Sequence, residues 1–149
     1  MTAKDVILLV EDNPDDEALT RRALKKNQIM SDIVVAPDGA VALDYLFGTG
    51  DFEGRDPKEP PSLVLLDLSL PKIDGLEVLR RVRADNRTKR IPIVILTTSK
   101  QEEDIAEGYE AGVNSYVCKP VDFQEFTEAA RQIGNYWLMV NQHPSRLGN

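Results

Sequence analysis

Cysteine and histidine are almost missing from this sequence. The one cysteine, Cys118, permits neither an internal disulfide nor a Cys-x-x-Cys metal site, and it fits a reducing compartment. The one histidine, His143, falls in the tail, which leaves nothing for a His-rich metal site or a Ser-His-Asp triad in the core. No apolar run approaches the roughly 20 residues that span a bilayer. The opening Met1-Thr2-Ala3-Lys4-Asp5 precedes only five apolar residues before Glu11, which is not a signal-peptide layout. Positive charge is also in deficit: 18 Lys and Arg stand against 25 Asp and Glu, a net charge of −7. A broad nucleic-acid surface needs clustered cations to displace counterions from phosphates, so that class of partner is not expected. The 149 residues are 42% hydrophobic, enough for one core without staples. The expectation is a soluble, cytoplasmic single domain over 1–149, binding neither nucleic acid nor membrane. Its chemistry must rest on carboxylates, hydroxyls and lysine.

Short apolar runs alternate with helix-like stretches. Val6 to Val10, Leu63 to Leu66 and Ile91 to Leu96 read as strands buried on both faces, with Ile33 to Ala36 and Ser115 to Cys118 as outer strands. Asn13 caps a helix that opens on Pro14, carries Asp15, Asp16 and Glu17 in its first turn and ends in Lys25 and Lys26, the charge order a helix dipole favours. Asp38 caps a second helix. Leu76, Leu79 and Val82 line a third, and a fourth runs from about Gln101 to Glu110, with Gly112 as its stop. In the last, Phe123, Phe126, Ala130, Ile133 and Trp137 recur at steps of three and four, a continuous buried stripe. The segment Gly48 to Ser62 is rich in Gly, Pro and charge and reads as a long exposed loop. The order is (βα)5, which predicts an α/β fold with a five-stranded parallel, doubly wound sheet. Sites in such sheets lie beyond the carboxyl ends of the strands, at the point where the strand order reverses.

That rule gathers specific residues. Glu11 and Asp12 follow the first strand, Asp67 follows the third, Thr97 ends the fourth and Lys119 follows the fifth. Three carboxylates in one place are unfavourable unless a cation neutralises them or some take up protons. Their hard oxygens suit Mg²⁺. Lys119 can balance negative charge there, and the Thr97 hydroxyl can donate to a phosphoryl oxygen. Singly, such residues are ordinary: acids after strands cap helices, and a lone Lys is usually a solvated charge. The joint arrangement is what points to a site.

The pieces Leu8-Leu9-Val10-Glu11-Asp12-Asn13, Leu66-Asp67-Leu68-Ser69-Leu70-Pro71 with Asp74-Gly75, Ile95-Leu96-Thr97-Thr98 and Tyr116-Val117-Cys118-Lys119-Pro120 stand in order along the chain. In them it resembles the receiver domain of two-component response regulators, with a flavodoxin-like receiver fold. The long loop after Tyr45-Leu46-Phe47-Gly48 and the ending Tyr136-Trp137-Leu138-Met139 look more specifically like the Rcp group, which stands beside bacterial and cyanobacterial phytochrome kinases.

The resemblance implies a single-domain response regulator whose Asp67 takes a phosphoryl group from a phosphohistidine of a sensor histidine kinase, a bacterial phytochrome. Glu11, Asp12, Asp67 and the Ser69 backbone carbonyl would hold Mg²⁺, with Mn²⁺ or Ca²⁺ as substitutes, and a water would stand between Glu11 and the metal. Lys119 would pair with the phosphoryl group, its bond to Pro120 being cis. Thr97 and Tyr116 would form the switch pair, Tyr116 turning inward as Thr97 moves. Thr98, bulkier than Ala or Gly, would narrow access. Such a protein is not an enzyme on a separate substrate, although it catalyses its own phosphorylation and dephosphorylation. With about a dozen residues after Trp137, output is expected through changed association. Tyr136, Trp137 and Met139 are interface candidates for a homodimer, because one helix face cannot bury the whole apolar run.

Three other classes compete. A phosphorylation-independent binding module on the same fold would be favoured by loss of Asp67, Thr97 or Lys119, all of which are present. A haloacid-type hydrolase places a second Asp two residues after its nucleophile, where this chain has Ser69. A flavodoxin needs a Ser/Thr/Gly-rich phosphate loop after its first strand, where Glu11-Asp12 would repel a phosphate.

Overall fold

Five apolar strands, each delivered by a helix to the side of a neighbour, must run parallel. In the computed structural model, which describes residues 5–29 and 31–141, they are β1 (Val6–Val10), β2 (Asp32–Ala36), β3 (Leu63–Leu66), β4 (Ile93–Thr97) and β5 (Ser115–Cys118). The helices are α1 (Pro14–Lys26), α2 (Gly39–Phe47), α3 (Gly75–Arg83), α4 (Glu102–Glu110) and α5 (Phe123–Gly134). The sheet order is β2-β1-β3-β4-β5, every pair parallel. His143 and the tail beyond 141 lie outside the described residues. β4 starts at Ile93 rather than Ile91, because Pro92 has no N–H for the ladder; its carbonyl still accepts from Val64 at 2.9 Å.

Alternate strand residues serve opposite layers. Leu8, Val10, Val64, Leu66, Ile93 and Ile95 pack with α2 and α3. Ile7, Leu9, Leu63, Leu65, Val94 and Leu96 pack with α1 and α5. Each such fully buried side chain contributes roughly 1.5–3 kcal/mol. The helix starts agree with the caps read from sequence: Asn13 accepts from the N–H groups of Asp15 and Asp16, and Asp38 from that of Val41.

Three features depart from expectation. The 48–62 segment is on the surface but tied down: Gly48 turns left-handed (φ 68°), a 3₁₀ turn covers Gly50–Phe52, and Arg55 donates to the carbonyls of Tyr45 and Glu59. The Arg55 guanidinium also lies 4.0 Å over the Tyr45 ring. At the start of α5, Phe123 is only half-buried, covered by the Arg22 guanidinium at 4.6 Å. Beyond α5 the chain widens into a π-helical turn, Asn135–Val140. That turn absorbs an extra residue, so Leu138 rather than Trp137 follows Ile133 into the core, and Trp137 stays half-buried.

Candidate functional site

The strand ladders continue one residue past their ends and place the site. The Glu11 N–H donates to the Ala36 carbonyl (3.0 Å), the Asp67 N–H to Val10 (3.1 Å) and the Lys119 N–H to Thr97 (2.7 Å). Glu11, Asp67 and Lys119 therefore start from backbone held by neighbouring strands, around the β1/β3 reversal of strand order. Gly75 keeps the roof low: an added Cβ would sit 2.3 Å from the Asp67 carbonyl oxygen.

Lys119 is the centre of the cluster. Its Nζ lies 2.5 Å from Glu11 Oε1, 3.0 Å from Asp16 Oδ2 and 3.1 Å from Asp67 Oδ2. Burial alone would pull the ammonium down, but hydrogen bonds to Glu11 and Asp16 and the charge of Asp67 outweigh it and hold Lys119 above its ordinary value. Burial also pushes the Glu11 carboxyl up, against the pull of Lys119. Asp67 presents its two oxygens differently, Oδ2 to Lys119 and Oδ1 to the Ser69 N–H at 3.4 Å.

Glu11, Asp12 and Asp67 each offer a carboxylate oxygen within 4.8 Å of the others, with Glu11 buried, Asp67 half-buried and Asp12 exposed. Such hard oxygen donors fit a divalent cation of the Mg²⁺ kind. Thr97 is buried at the end of β4, while Thr98 is exposed. The Tyr116 hydroxyl donates to the Ser99 carbonyl at 3.0 Å, and its ring packs near Gly108 of α4. The expected cis bond is absent: Lys119–Pro120 is trans, and the lysine's backbone is fixed by its bond to Thr97 instead.

Sequence reasoning missed Asp16, which it read as a first-turn acid favoured by the helix dipole. The signal was present, since Asp16, Thr20, Ala23 and Leu24 fall on one stripe of α1, and the last three are buried. An acid heading a buried stripe needs a partner, and that partner is Lys119. Tyr136 and Met139 are 49% and 76% exposed, with Val140 beside them at 55%.

The sheet order 2-1-3-4-5 thus gathers acids after β1 and β3, a hydroxyl at the end of β4 and a lysine after β5. Residues 7–131 match the response regulator receiver domain, and the chain belongs to that family. Among particular relatives, it is 40% identical to Response regulator Rcp1 of Synechocystis over 89% of this chain and 88% of that one. It is 41% identical to the probable methanogenesis regulatory protein FilR2 of Methanothrix harundinacea, over 93% and 87%. In structure it resembles the phosphorylated cyanobacterial phytochrome response regulator RcpA, with TM-score 0.88 and 37% identity over 95% of this chain and 99% of that one. The Mn²⁺-bound form of Rcp1 is similar at TM-score 0.85 and 38% identity, over 94% and 99%.

Proposed function

We propose that this response regulator accepts a phosphoryl group on Asp67 from a phosphohistidine of a sensor histidine kinase of the phytochrome type, in a Mg²⁺-dependent reaction. The observation that carries the reading is the buried Lys119 ammonium 3.1 Å from Asp67 Oδ2, beside Glu11 and Asp12. An Asp67 oxygen forms a bond to phosphorus as the donor's P–N bond breaks. The imidazole leaves with that electron pair and takes up a proton. Such transfer depends chiefly on in-line positioning and charge neutralisation. Lys119 would supply positive charge where phosphoryl oxygens arrive, and the Thr97 hydroxyl would donate to one of them. Glu11, Asp12, Asp67 and the Ser69 carbonyl would hold the cation. When bound, it neutralises charge on the phosphoryl oxygens. The likeness to the Mn²⁺-bound form of Rcp1 supports a divalent metal, and the likeness to RcpA supports the phytochrome pathway.

Incubation with Mg²⁺ and a small phosphoryl donor, followed by intact mass measurement, tests the acceptor. Wild type gains one phosphoryl group and Asp67→Asn gains none; an adduct that survives the substitution overturns the assignment. Faster labelling by a phytochrome kinase than by an unrelated histidine kinase tests the pathway.

The output follows from exposed apolar surface. Tyr136, Met139 and Val140 stand out of the last helix, and covering them with a second copy removes apolar area from water. Phosphorylation is expected to raise self-association, read by sedimentation with and without a phosphoryl analogue. Tyr136→Ser with Met139→Glu should weaken it about tenfold, or roughly 1.4 kcal/mol. A monomer under every condition removes homodimerisation from this account.

A further inference from the structure

An ammonium has three protons to donate, and in Lys119 each is committed to a different carboxylate: Glu11, Asp16 and Asp67. Two of these carboxylates follow sheet strands. The third comes from a helix. Asp16 is fixed on its main chain, its N–H held by Asn13 Oδ1 at 3.2 Å and its carbonyl accepting from the Thr20 hydroxyl at 2.8 Å. Thr20 is itself buried in the α1 face. Asp16 Oδ2 therefore reaches Lys119 from an anchored base, while its side chain remains 34% exposed.

We infer that Asp16 is a positioning residue for phosphoryl transfer, holding the Lys119 ammonium over the acceptor while the Asp67 bond is exchanged. This rests on the reading of Asp67 as acceptor. When Asp67 takes a phosphoryl group, the Lys119 N–H aimed at its carboxylate turns to donate a hydrogen bond to a phosphoryl oxygen. The bonds to Glu11 and Asp16 persist and keep the four-carbon stem from swinging away. A lysine side chain is flexible and carries its charge at a point, so two anchors from different elements, the end of β1 and α1, define its direction where one leaves it free to pivot. Asp16 stands apart from the Glu11, Asp12 and Asp67 oxygens that gather within 4.8 Å, so its role is separable from metal binding.

The test combines Asp16→Ala, which removes the acceptor oxygen, with Asp16→Asn, which keeps one and removes the charge. Phosphorylation rates at saturating small donor and Mg²⁺, Mg²⁺ affinity by calorimetry and urea unfolding are measured for wild type and both variants. The expected result is a rate about tenfold lower in Asp16→Ala, the size of one lost charge-assisted hydrogen bond. Mg²⁺ affinity should change less than twofold, and Asp16→Asn should restore most of the rate. An unchanged rate in Asp16→Ala overturns the inference. So does equal slowing in both variants, which would make the effect one of charge, or a parallel loss of Mg²⁺ affinity, which would make Asp16 part of the metal site. If the alanine variant unfolds, Asp16→Leu, close in shape to Asp but without an acceptor oxygen, takes its place, and an unchanged rate there overturns the inference. Wild type that takes no label, or label that persists in Asp67→Asn, defeats the acceptor reading itself and the inference with it.

Discussion

Lys119→Met is expected to cost about 3–5 kcal/mol of folding free energy at neutral pH without metal, the penalty for leaving a buried charge without its partner. Lys119 and Glu11 side chains are only 6% and 3% exposed, and Asp67 stands close by at 12%. Met fills the stem volume but leaves the Glu11 and Asp67 carboxylates facing each other with no cation. Burial and the Asp67 charge already act to raise the Glu11 carboxyl, with Lys119 opposing them. In the variant the opposition is gone, and the folded-state pKa of Glu11 rises further above its unfolded value. An acid shifted in that direction loses stability above its folded pKa and recovers it as pH falls through that value. The deficit is therefore larger at neutral pH than in mild acid, and urea unfolding at both conditions checks it. A pH-independent deficit would show that packing, not charge, is what Lys119 contributes. Phosphorylation should slow by roughly a hundredfold or more, the scale of removing one preorganised group at developing charge.

Gly75→Ala is expected to be nearly as damaging without touching any charge. The new Cβ would meet the Asp67 carbonyl oxygen at 2.3 Å and the Leu68 Cα at 2.8 Å, both backbone atoms that no rotamer can move aside. The Gly75 N–H also donates to the Leu68 carbonyl at 3.0 Å, so α3 cannot back away without breaking that bond. A loss of about 3 kcal/mol follows from forced overpacking, together with a phosphorylation defect, because the displaced carbonyl belongs to Asp67, the proposed acceptor. Gly134→Ala is the comparison: its Cβ would meet Ile29 Cδ1 at 2.3 Å, the far end of a flexible side chain, and a shift of that methyl keeps the cost small. Equal losses in the two variants would refute the distinction between backbone and side-chain obstruction.

The fold was legible because its signals are local. Buried parallel strands appear as unbroken apolar runs, and Asn13 and Asp38 each cap the helix expected after them. Glu11, Asp67, Thr97 and Lys119 could be gathered from sequence because each sits at a strand end, and a parallel sheet brings those ends together. Asp16 could not be reached by the same rule, since it projects from a helix and its partner lies 103 residues away. Arg83 is a second case. As a last-turn base it reads as dipole chemistry, yet it donates to the carbonyls of Gly112, Lys89 and Ile91 and to Asn114 Oδ1, joining α3 to the entry of β4 and to the turn before β5. Such roles depend on which carbonyls fold into reach, and no spacing rule carries that.

The π-helical turn at Asn135–Val140 makes the outer surface of the last helix a matter of counting. A π turn is an α-helix with one residue too many. Rewinding that turn to α geometry with every residue kept would rotate its last residues by about 100°, whereas deleting the extra residue would restore α geometry in phase. In the first case Trp137 would take the buried place of Leu138, and a different set of apolar side chains would face outward with the composition unchanged. The apolar face turned outward at the end of the last helix is thus set by how one turn is wound, independently of the acidic pocket.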